Sequence, residues 1–78
     1  MTPEEYVQRH KRAFRVAFDY LNDHFPPGED DSWWEQAAMD GSIVYAENGY
    51  DPLQLQLLAG VCNYLQMEWM ERRKENEA

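Results

Sequence analysis

Few residues in the chain have the type and spacing that catalysis or metal binding requires. His10 and His24 are 14 positions apart, so within one helix they would lie about 21 Å apart along the axis, too far to share a metal ion. Cys62 falls inside an apolar pattern with acids nearby, which disfavour a reactive thiolate. The acidic run at 29–31 lacks the alternating acids, central glycine and terminal glutamate of a calcium-binding loop. We therefore expect neither a metal site nor a cofactor.

The sequence also lacks the motifs of the common enzyme classes. It has no phosphate-binding glycine loop, no serine elbow and no zinc-protease motif. Acid–base catalysis by paired carboxylates needs a cleft that desolvates one of them, and a chain of 78 residues has little room for such a cleft. We therefore expect a non-catalytic protein that binds another macromolecule.

The formal net charge of −8 is concentrated in the middle of the chain. Residues 1–25 carry four acids and four bases, and residues 54–78 are close to neutral. Residues 26–53 contain no Lys or Arg and seven acids, which are Glu29, Asp30, Asp31, Glu35, Asp40, Glu47 and Asp51. If these carboxylates share one face, they attract basic partners and repel phosphate backbones, which argues against direct nucleic-acid binding. The alternative is that they only cap helices and keep a small domain soluble.

Aromatic and methionine side chains give a second candidate for binding. Trp33 and Trp34 would diverge by about 100° on a helix, so both indoles cannot enter one core, and we expect one to be at least half exposed. Tryptophan is frequent in interface hot spots, although it can also lie flat on its own bundle. Tyr50, Met67 and Met70 allow the same two interpretations, and if they are exposed they are compatible with a homodimer. The predicted partner-binding residues are Glu29, Asp30, Asp31, Trp33, Glu35, Asp40 and Glu47.

Three helices are predicted to position these residues. Thr2 as N-cap and Pro3 at the first position start a helix over about 3–25. Its expected core stripe has spacings of three, four and seven and consists of Val7, Phe14, Ala17, Phe18, Leu21 and Phe25.

A capping box formed by Ser32 and Glu35 starts a second predicted helix over about 32–46. Gly41 lowers helix propensity there, so a kink is one alternative, and a short strand over 43–45 is another. Its weaker apolar stripe includes Trp34, Ala37 and Tyr45.

Asp51 and Pro52 start a third predicted helix over about 52–74, with a core row of Leu58, Val61, Leu65 and Trp69. Gly60 is expected to let a neighbouring helix approach closely. The fold class is therefore all-α, a single domain folded as a compact three-helix bundle with short loops.

The location expected for this protein is the cytoplasm. No apolar run approaches the roughly 20 residues that span a bilayer. The N-terminus is acidic at Glu4 and Glu5, unlike a signal peptide, and a lone cysteine fits a reducing compartment.

The leading hypothesis is a small acidic protein that binds a basic surface on a protein partner, without membrane or direct nucleic-acid contact. In size and charge, the chain resembles small inhibitor proteins of bacterial mobile elements, including anti-restriction and anti-CRISPR proteins. That resemblance implies a nucleic-acid mimic or inhibitor. The alternative is a structural helical-bundle subunit that self-associates or packs into a larger assembly through exposed Trp and Met. A helix-turn-helix DNA reader is disfavoured by the net charge.

Overall fold

The computed structural model describes residues 1–77, with side chains for residues 1–75. It contains three α-helices, α1 (Pro3–Asp23), α2 (Asp31–Glu47) and α3 (Pro52–Glu77). The predicted all-α three-helix bundle is confirmed. The described residues contain no strand, so the helical interpretation of residues 43–45 is also confirmed, and α2 passes through Gly41 without interruption. None of the described helices combines the length and apolar character needed to cross a bilayer.

The starts of α1 and α2 differ in how well the sequence anticipated them. At α1, the Thr2 hydroxyl accepts the Glu5 backbone N–H at 3.2 Å and the Glu5 carboxylate accepts the Thr2 N–H at 3.4 Å, which forms a capping box. The capping box predicted for Ser32 and Glu35 is wrong. The chain enters α2 one residue earlier than expected, so Asp30 is the N-cap and makes no side-chain cap bond, and Ser32 lies inside the first turn.

The connector between α2 and α3 ends one helix and starts the next within four residues. Gly49 has a φ of 71°, its N–H donates to the Ala46 carbonyl, and the N–H of Tyr50 donates to the Tyr45 carbonyl. This is a Schellman motif, in which the left-handed position favours glycine, and the Tyr45 and Tyr50 rings 5.3 Å apart supply its apolar contact. Asp51 then accepts the Leu53 N–H at 3.0 Å and caps α3.

Contacts between the helices define an up-down-up arrangement with a length of 53 Å. Arg9 pairs with Asp51 near the start of α3, and Phe25 stacks on Tyr64 further along it. Contacts therefore advance along both helices together, so α1 and α3 are parallel. Because Arg12 bonds Asn48 at the end of α2, α2 runs antiparallel to α1.

The core is narrow and consists largely of small side chains. The buried apolar residues are Ala13, Ala17 and Tyr20 of α1, Ala37 of α2, and Leu58 and Leu65 of α3. The Leu58 and Leu65 positions of the predicted α3 row are confirmed. Gln54 is also buried, and its side-chain amide donates to the Ala13 carbonyl at 3.1 Å, so a polar bond crosses the α1–α3 contact.

The core stripe predicted for α1 is wrong for its large residues. Val7, Phe14, Phe18 and Phe25 are exposed, and of that stripe only Ala17 is buried. The face that packs inward is instead the one formed by Ala13, Ala17 and Tyr20, since alanine side chains allow α1 to approach α3 closely. The large aromatic side chains are left on another face of the helix.

Two mid-helix glycines have different environments. A Cβ at Gly41 would lie 3.4 Å from the Tyr20 hydroxyl, so this glycine makes room for a buried side chain. At Gly60, an added Cβ would have no described neighbour within 4 Å. The predicted role of Gly60 in close helix packing is therefore wrong.

Candidate functional site

A groove between α1 and α2 is lined by carboxylates on both walls. Its volume is about 450 Å³. Three aspartates border it, which are Asp19, Asp23 and Asp40, and the partly buried Val16 and Val44 form its floor. The exposed Ile43 lies at its edge. An anionic rim above an apolar floor suits a ligand group that is both cationic and hydrocarbon.

Helical spacing places these residues on the walls that face each other. Val16, Asp19 and Asp23 follow one another by three and four positions, so they share one flank of α1. Asp40 and Ile43 share the flank of α2 that lies against α1, as the contact between His24 and Asp40 shows. Because α1 and α2 are antiparallel, the two flanks face each other across the groove.

The carboxylates of the groove differ in their partners. The side chains of Asp19 and Asp23 are exposed, and their carboxylates make no hydrogen bond or ion pair with any other residue that the structure describes. Asp40 accepts a bond from Gln36 at 2.8 Å and lies 2.9 Å from His24 Nε2. The bond to His24 is the main reason that the pKa of Asp40 lies below its ordinary value, and the bond from Gln36 adds to it. The two α1 aspartates are therefore the carboxylates available to a partner.

His24 and Tyr20 form the wall at one end of the groove. His24 donates its Nδ1–H to the Tyr20 carbonyl at 2.7 Å, and the two rings stack with centroids 4.1 Å apart. The carbonyl and the Asp40 carboxylate are both acceptors, so His24 can donate to both only when the imidazole carries two protons. This arrangement fixes the position of Asp40 relative to α1.

Tyr20 connects all three helices beneath the groove. Its hydroxyl donates to the Ala37 carbonyl of α2 at 2.7 Å and lies 3.7 Å from the Cys62 sulfur of α3. Burial of the side chain, followed by the contact with Cys62, raises the pKa of the Tyr20 hydroxyl above its ordinary value of 10.0. Cys62 is thus half-buried beside a phenol.

The acids predicted to form one binding face are divided between different sides of α2. Asp31 and Glu35 are exposed near the start of the helix and are separated by about 40° around its axis. Asp40 lies about 180° from Asp31, and Glu47 lies within about 20° of Asp40. Glu29 and Asp30 are exposed in the loop before α2. Four of the acids therefore gather at the α2 N-terminus, whereas Asp40 and Glu47 belong to the groove side.

Trp33 and Trp34 each leave less than half of their surface exposed, so the prediction that one is at least half exposed is wrong. They achieve this by packing on different helices. Trp33 lies against His24 at the end of α1, with ring centroids 6.3 Å apart, and Trp34 lies against Trp69 of α3 at 6.4 Å. A bundle end with neighbours on two sides can cover two diverging indoles.

Asp51 contributes to the fold instead of to an anionic surface. It is buried, and its two carboxylate oxygens accept bonds of 3.1 Å and 3.0 Å from Arg9. The bond to Arg9 is the main reason that the pKa of Asp51 is lowered, with the cap bond from Leu53 adding to it.

Asp19 and Asp23 were missed because the charges of residues 1–25 cancel when they are only summed. Their position along α1 contains the missing signal. All four bases of this segment fall between residues 9 and 15, and both aspartates come later, so the stretch without Lys or Arg runs from 16 to 71. A count by helix halves would have placed Asp19 and Asp23 with the central acids.

A larger hollow beside the end of α3 has a mixed charge. It measures about 720 Å³ and places Arg72 and Arg73 among Glu29, Glu68 and Glu71. Cations already present in this hollow compete with those of a basic partner, so it is a weaker candidate than the α1–α2 groove.

Comparison with known proteins gives no family for the chain: no protein-family model matches it, and neither a curated protein nor a solved structure is similar to it. Within the described residues, no group of three or more His, Cys, Asp or Glu side chains is arranged to hold a metal ion. Function must therefore be inferred from the groove and from the exposed surfaces.

Proposed function

We propose that this chain is a small, acidic, non-catalytic cytoplasmic protein that binds a basic surface of a macromolecular partner through the α1–α2 groove. The observation that carries the proposal is the pair of unpartnered carboxylates, Asp19 and Asp23, beside the aliphatic floor of Val16 and Val44.

Lysine and arginine side chains have the chemistry that this groove would accept. Each has a hydrocarbon stem that can lie on an apolar floor and a cationic end that can reach a carboxylate at the rim. Asp19 and Asp23 are one helical turn apart, which is about 6 Å along the axis. A partner helix with two cations at i and i+4 presents the same spacing.

The acids at the α2 N-terminus support the same kind of partner over a wider area. Glu29, Asp30, Asp31 and Glu35 are exposed, and the negative potential they add favours the approach of a basic surface. Asp40 lines the groove, Glu47 lies on the same side of α2 beyond it, and Trp33 packs against His24 at its end. In this proposal the groove gives short-range contacts and the α2 N-terminus gives long-range attraction.

The test uses a synthetic amphipathic helical peptide of Lys and Leu, with Lys at i and i+4, titrated against the full chain by fluorescence anisotropy. The expected result is binding that weakens as salt rises, because exposed charges are screened. Asp19→Asn with Asp23→Asn should weaken binding at least tenfold. Asp30→Asn with Asp31→Asn removes the same formal charge outside the groove and should change affinity less than threefold.

Two results would count against the groove. Equal losses in the two double variants would mean that net charge alone attracts the peptide. A loss confined to the Asp30 and Asp31 variant would move the site to the α2 N-terminus. A peptide with Glu in place of Lys is the matched negative control.

A specialised form of the proposal is nucleic-acid mimicry, in which the basic surface normally holds DNA or RNA. Its test is competition. Duplex DNA should displace the chain from a nucleic-acid-binding partner, and Asp19→Asn with Asp23→Asn should abolish the competition. Simultaneous binding of DNA and the chain by that partner would exclude mimicry.

A second candidate function, a subunit that packs into a larger assembly, is favoured by one observation. Phe14, Phe18, Met67 and Met70 all leave more than half of their side-chain surface exposed. Exposed apolar side chains of this size mark protein interfaces where they form a contiguous patch.

A further inference from the structure

We propose that α1 and α3 together present an apolar face, on the side away from α2, that binds a second copy of this chain to form an antiparallel homodimer. The inference is independent of the proposed groove, because it concerns the opposite flank of α1. We call this surface the α1–α3 face and define it by Phe14 and Phe18 of α1, Phe25 just beyond the end of α1, and Leu57 and Tyr64 of α3.

The α1 part of the face consists of side chains that the bundle leaves uncovered. Phe14 is 59% exposed and Phe18 is 62% exposed, and Val7 and Phe25 continue the same stripe. The stripe lies more than about 60° around the helix from Ala17 on the buried side. It cannot reach the core without turning Ala17 outward.

Contacts identify which side of the bundle the stripe occupies. The flank of α1 that carries Arg12 lies against α2, where Arg12 donates to Asn48 at 3.1 Å. Phe25 lies on the other flank and stacks on Tyr64 of α3, with ring centroids 6.3 Å apart. The α1 stripe and the outer side of α3 therefore form one continuous surface.

The spacing of the face favours helices as its occupant. Along α3, Leu53, Leu57, Gly60, Tyr64 and Met67 follow at intervals of four, three, four and three. Along α1, the intervals from Phe14 through Phe18 to Leu21 are four and three, and Phe25 follows four positions later, just beyond the end of the helix. Alternation of three and four is the pattern by which helices pack in coiled coils and four-helix bundles. Two parallel stripes can receive two helices, which a second α1–α3 pair supplies.

The exposed area is sufficient for a specific dimer. Aromatic side chains each offer 150–250 Å², so Phe14, Phe18, Phe25 and Tyr64, each 40–62% exposed, present about 400 Å². Val7 and Met67 raise this to about 550 Å² of apolar surface per copy. Two copies would bury about 1,100 Å², which exceeds the roughly 1,000 Å² expected of a biological interface.

The charges beside the face select the antiparallel orientation. Lys11 and Arg15 flank its N-terminal half and make no ion pair with the described residues. In the C-terminal half, Lys74 lies 3.6 Å from a carboxylate and Arg72 lies over the Phe25 ring, so both cations are already engaged. Of the carboxylates in that half, Glu71 is the one paired with Lys74, whereas Glu68 and Glu75 make no ion pair with the described residues. A parallel dimer would place Lys11 and Arg15 of one copy against Lys11 and Arg15 of the other. An antiparallel dimer places them against the acidic C-terminal half of the other copy's face.

The first experiment is sedimentation equilibrium of the full chain from micromolar to millimolar concentration. We expect a monomer–dimer equilibrium for the wild type. Phe14→Glu with Phe18→Glu should raise the dimer Kd at least about 30-fold, since buried aromatic anchors dominate interfaces. Met39→Glu is the matched control, because Met39 is also 59% exposed but lies on α2, and it should leave the Kd unchanged. Circular dichroism verifies that each variant remains helical.

A monomeric wild type at millimolar concentration would overturn the proposal and leave the face to a different occupant. A dimer that Phe14→Glu with Phe18→Glu does not weaken would overturn it as well, since another surface would then be responsible.

The second experiment tests the orientation by charge reversal. One variant carries Lys11→Glu and Arg15→Glu, and the other carries Glu68→Lys and Glu71→Lys. Each alone should dimerise more weakly, and an equimolar mixture should form heterodimers with affinity restored to within about threefold of the wild type. Failure of the mixture to recover affinity would exclude the antiparallel arrangement.

Discussion

Replacing Tyr20 by Phe should destabilise the bundle and also change its response to alkaline pH. The substitution keeps the buried ring and removes only the hydroxyl, which donates to the Ala37 carbonyl at 2.7 Å. Ala37 lies in the middle of α2, where the helical pattern already supplies its carbonyl with a donor. The loss is therefore that of one ordinary hydrogen bond, about 1 kcal/mol, without a large penalty for an unsatisfied acceptor.

A loss of that size is readily measured in a protein of this length. For domains of 60–100 residues, about 1 kcal/mol corresponds to a fall in Tm of roughly 4–8 °C. Urea unfolding at pH 7, followed by tryptophan fluorescence, should give a lower midpoint with an unchanged slope. A midpoint equal to that of the wild type would refute the assignment of a buried, hydrogen-bonded hydroxyl.

The pH dependence follows from the raised pKa of Tyr20, whose ordinary value is 10.0. Above pH 10 the unfolded chain releases the Tyr20 proton whereas the folded chain retains it, so folding stability falls as pH rises. The slope from this group approaches about 1.4 kcal/mol per pH unit until the folded pKa is reached. Below pH 10 the Tyr20 hydroxyl is protonated in both states and adds nothing to the pH dependence of stability. Tyr20→Phe should lack this pH dependence, so the difference in free energy of unfolding between wild type and variant should close between pH 10 and 11. A difference that stays constant over this range would contradict the reasoning.

Three further predictions concern stability. Asp51→Asn should lower the urea midpoint at pH 7. The difference in midpoint from the wild type should narrow as pH falls below 3.8, the ordinary pKa of this carboxyl, because the lowered pKa of Asp51 means that its carboxyl favours folding only while it is ionised. A difference that widens in acid would contradict this. Gly60→Ala should raise Tm, with a gain of about 1 kcal/mol, since nothing lies near the added methyl group; calorimetry showing a lower Tm would mean that the position is crowded. Gly28→Ala should destabilise the chain by about 1–3 kcal/mol and shift tryptophan emission, because a Cβ there would overlap the Trp33 ring; unchanged emission would exclude this contact.

The fold class and the starts of α1 and α3 could be predicted because local signals determine them. Thr2 with Pro3 and Asp51 with Pro52 each act on the few residues around them, and each functions as expected. The inward face of α1 could not be predicted in the same way. Both candidate faces have helical spacing, and the choice of Ala13, Ala17 and Tyr20 depends on how closely α3 approaches, which is a tertiary property.

The candidate site was predictable in its chemistry but only partly in its location. The shortage of bases drew attention to α2, and Asp40 of that helix lines the groove. Asp19 and Asp23 join it only because α2 folds back against the second half of α1. Likewise, Asp51 was counted among the surface acids because no local signal indicates that Arg9, 42 positions away, binds it.

The two ends of the bundle are joined by different chemistry. Where α1 begins, Arg9 meets a buried carboxylate, and where α1 ends, Phe25 and the indoles of Trp33 and Trp34 stack between the helices. Protonation removes the first kind of contact, whereas apolar association weakens when water is cooled. Acid removes the Arg9–Asp51 contact at one end and, by protonating Asp40, also the His24–Asp40 contact near the other, whereas cold weakens the aromatic end alone. Amide hydrogen exchange should therefore accelerate at both ends in acid, but first at the aromatic end in the cold.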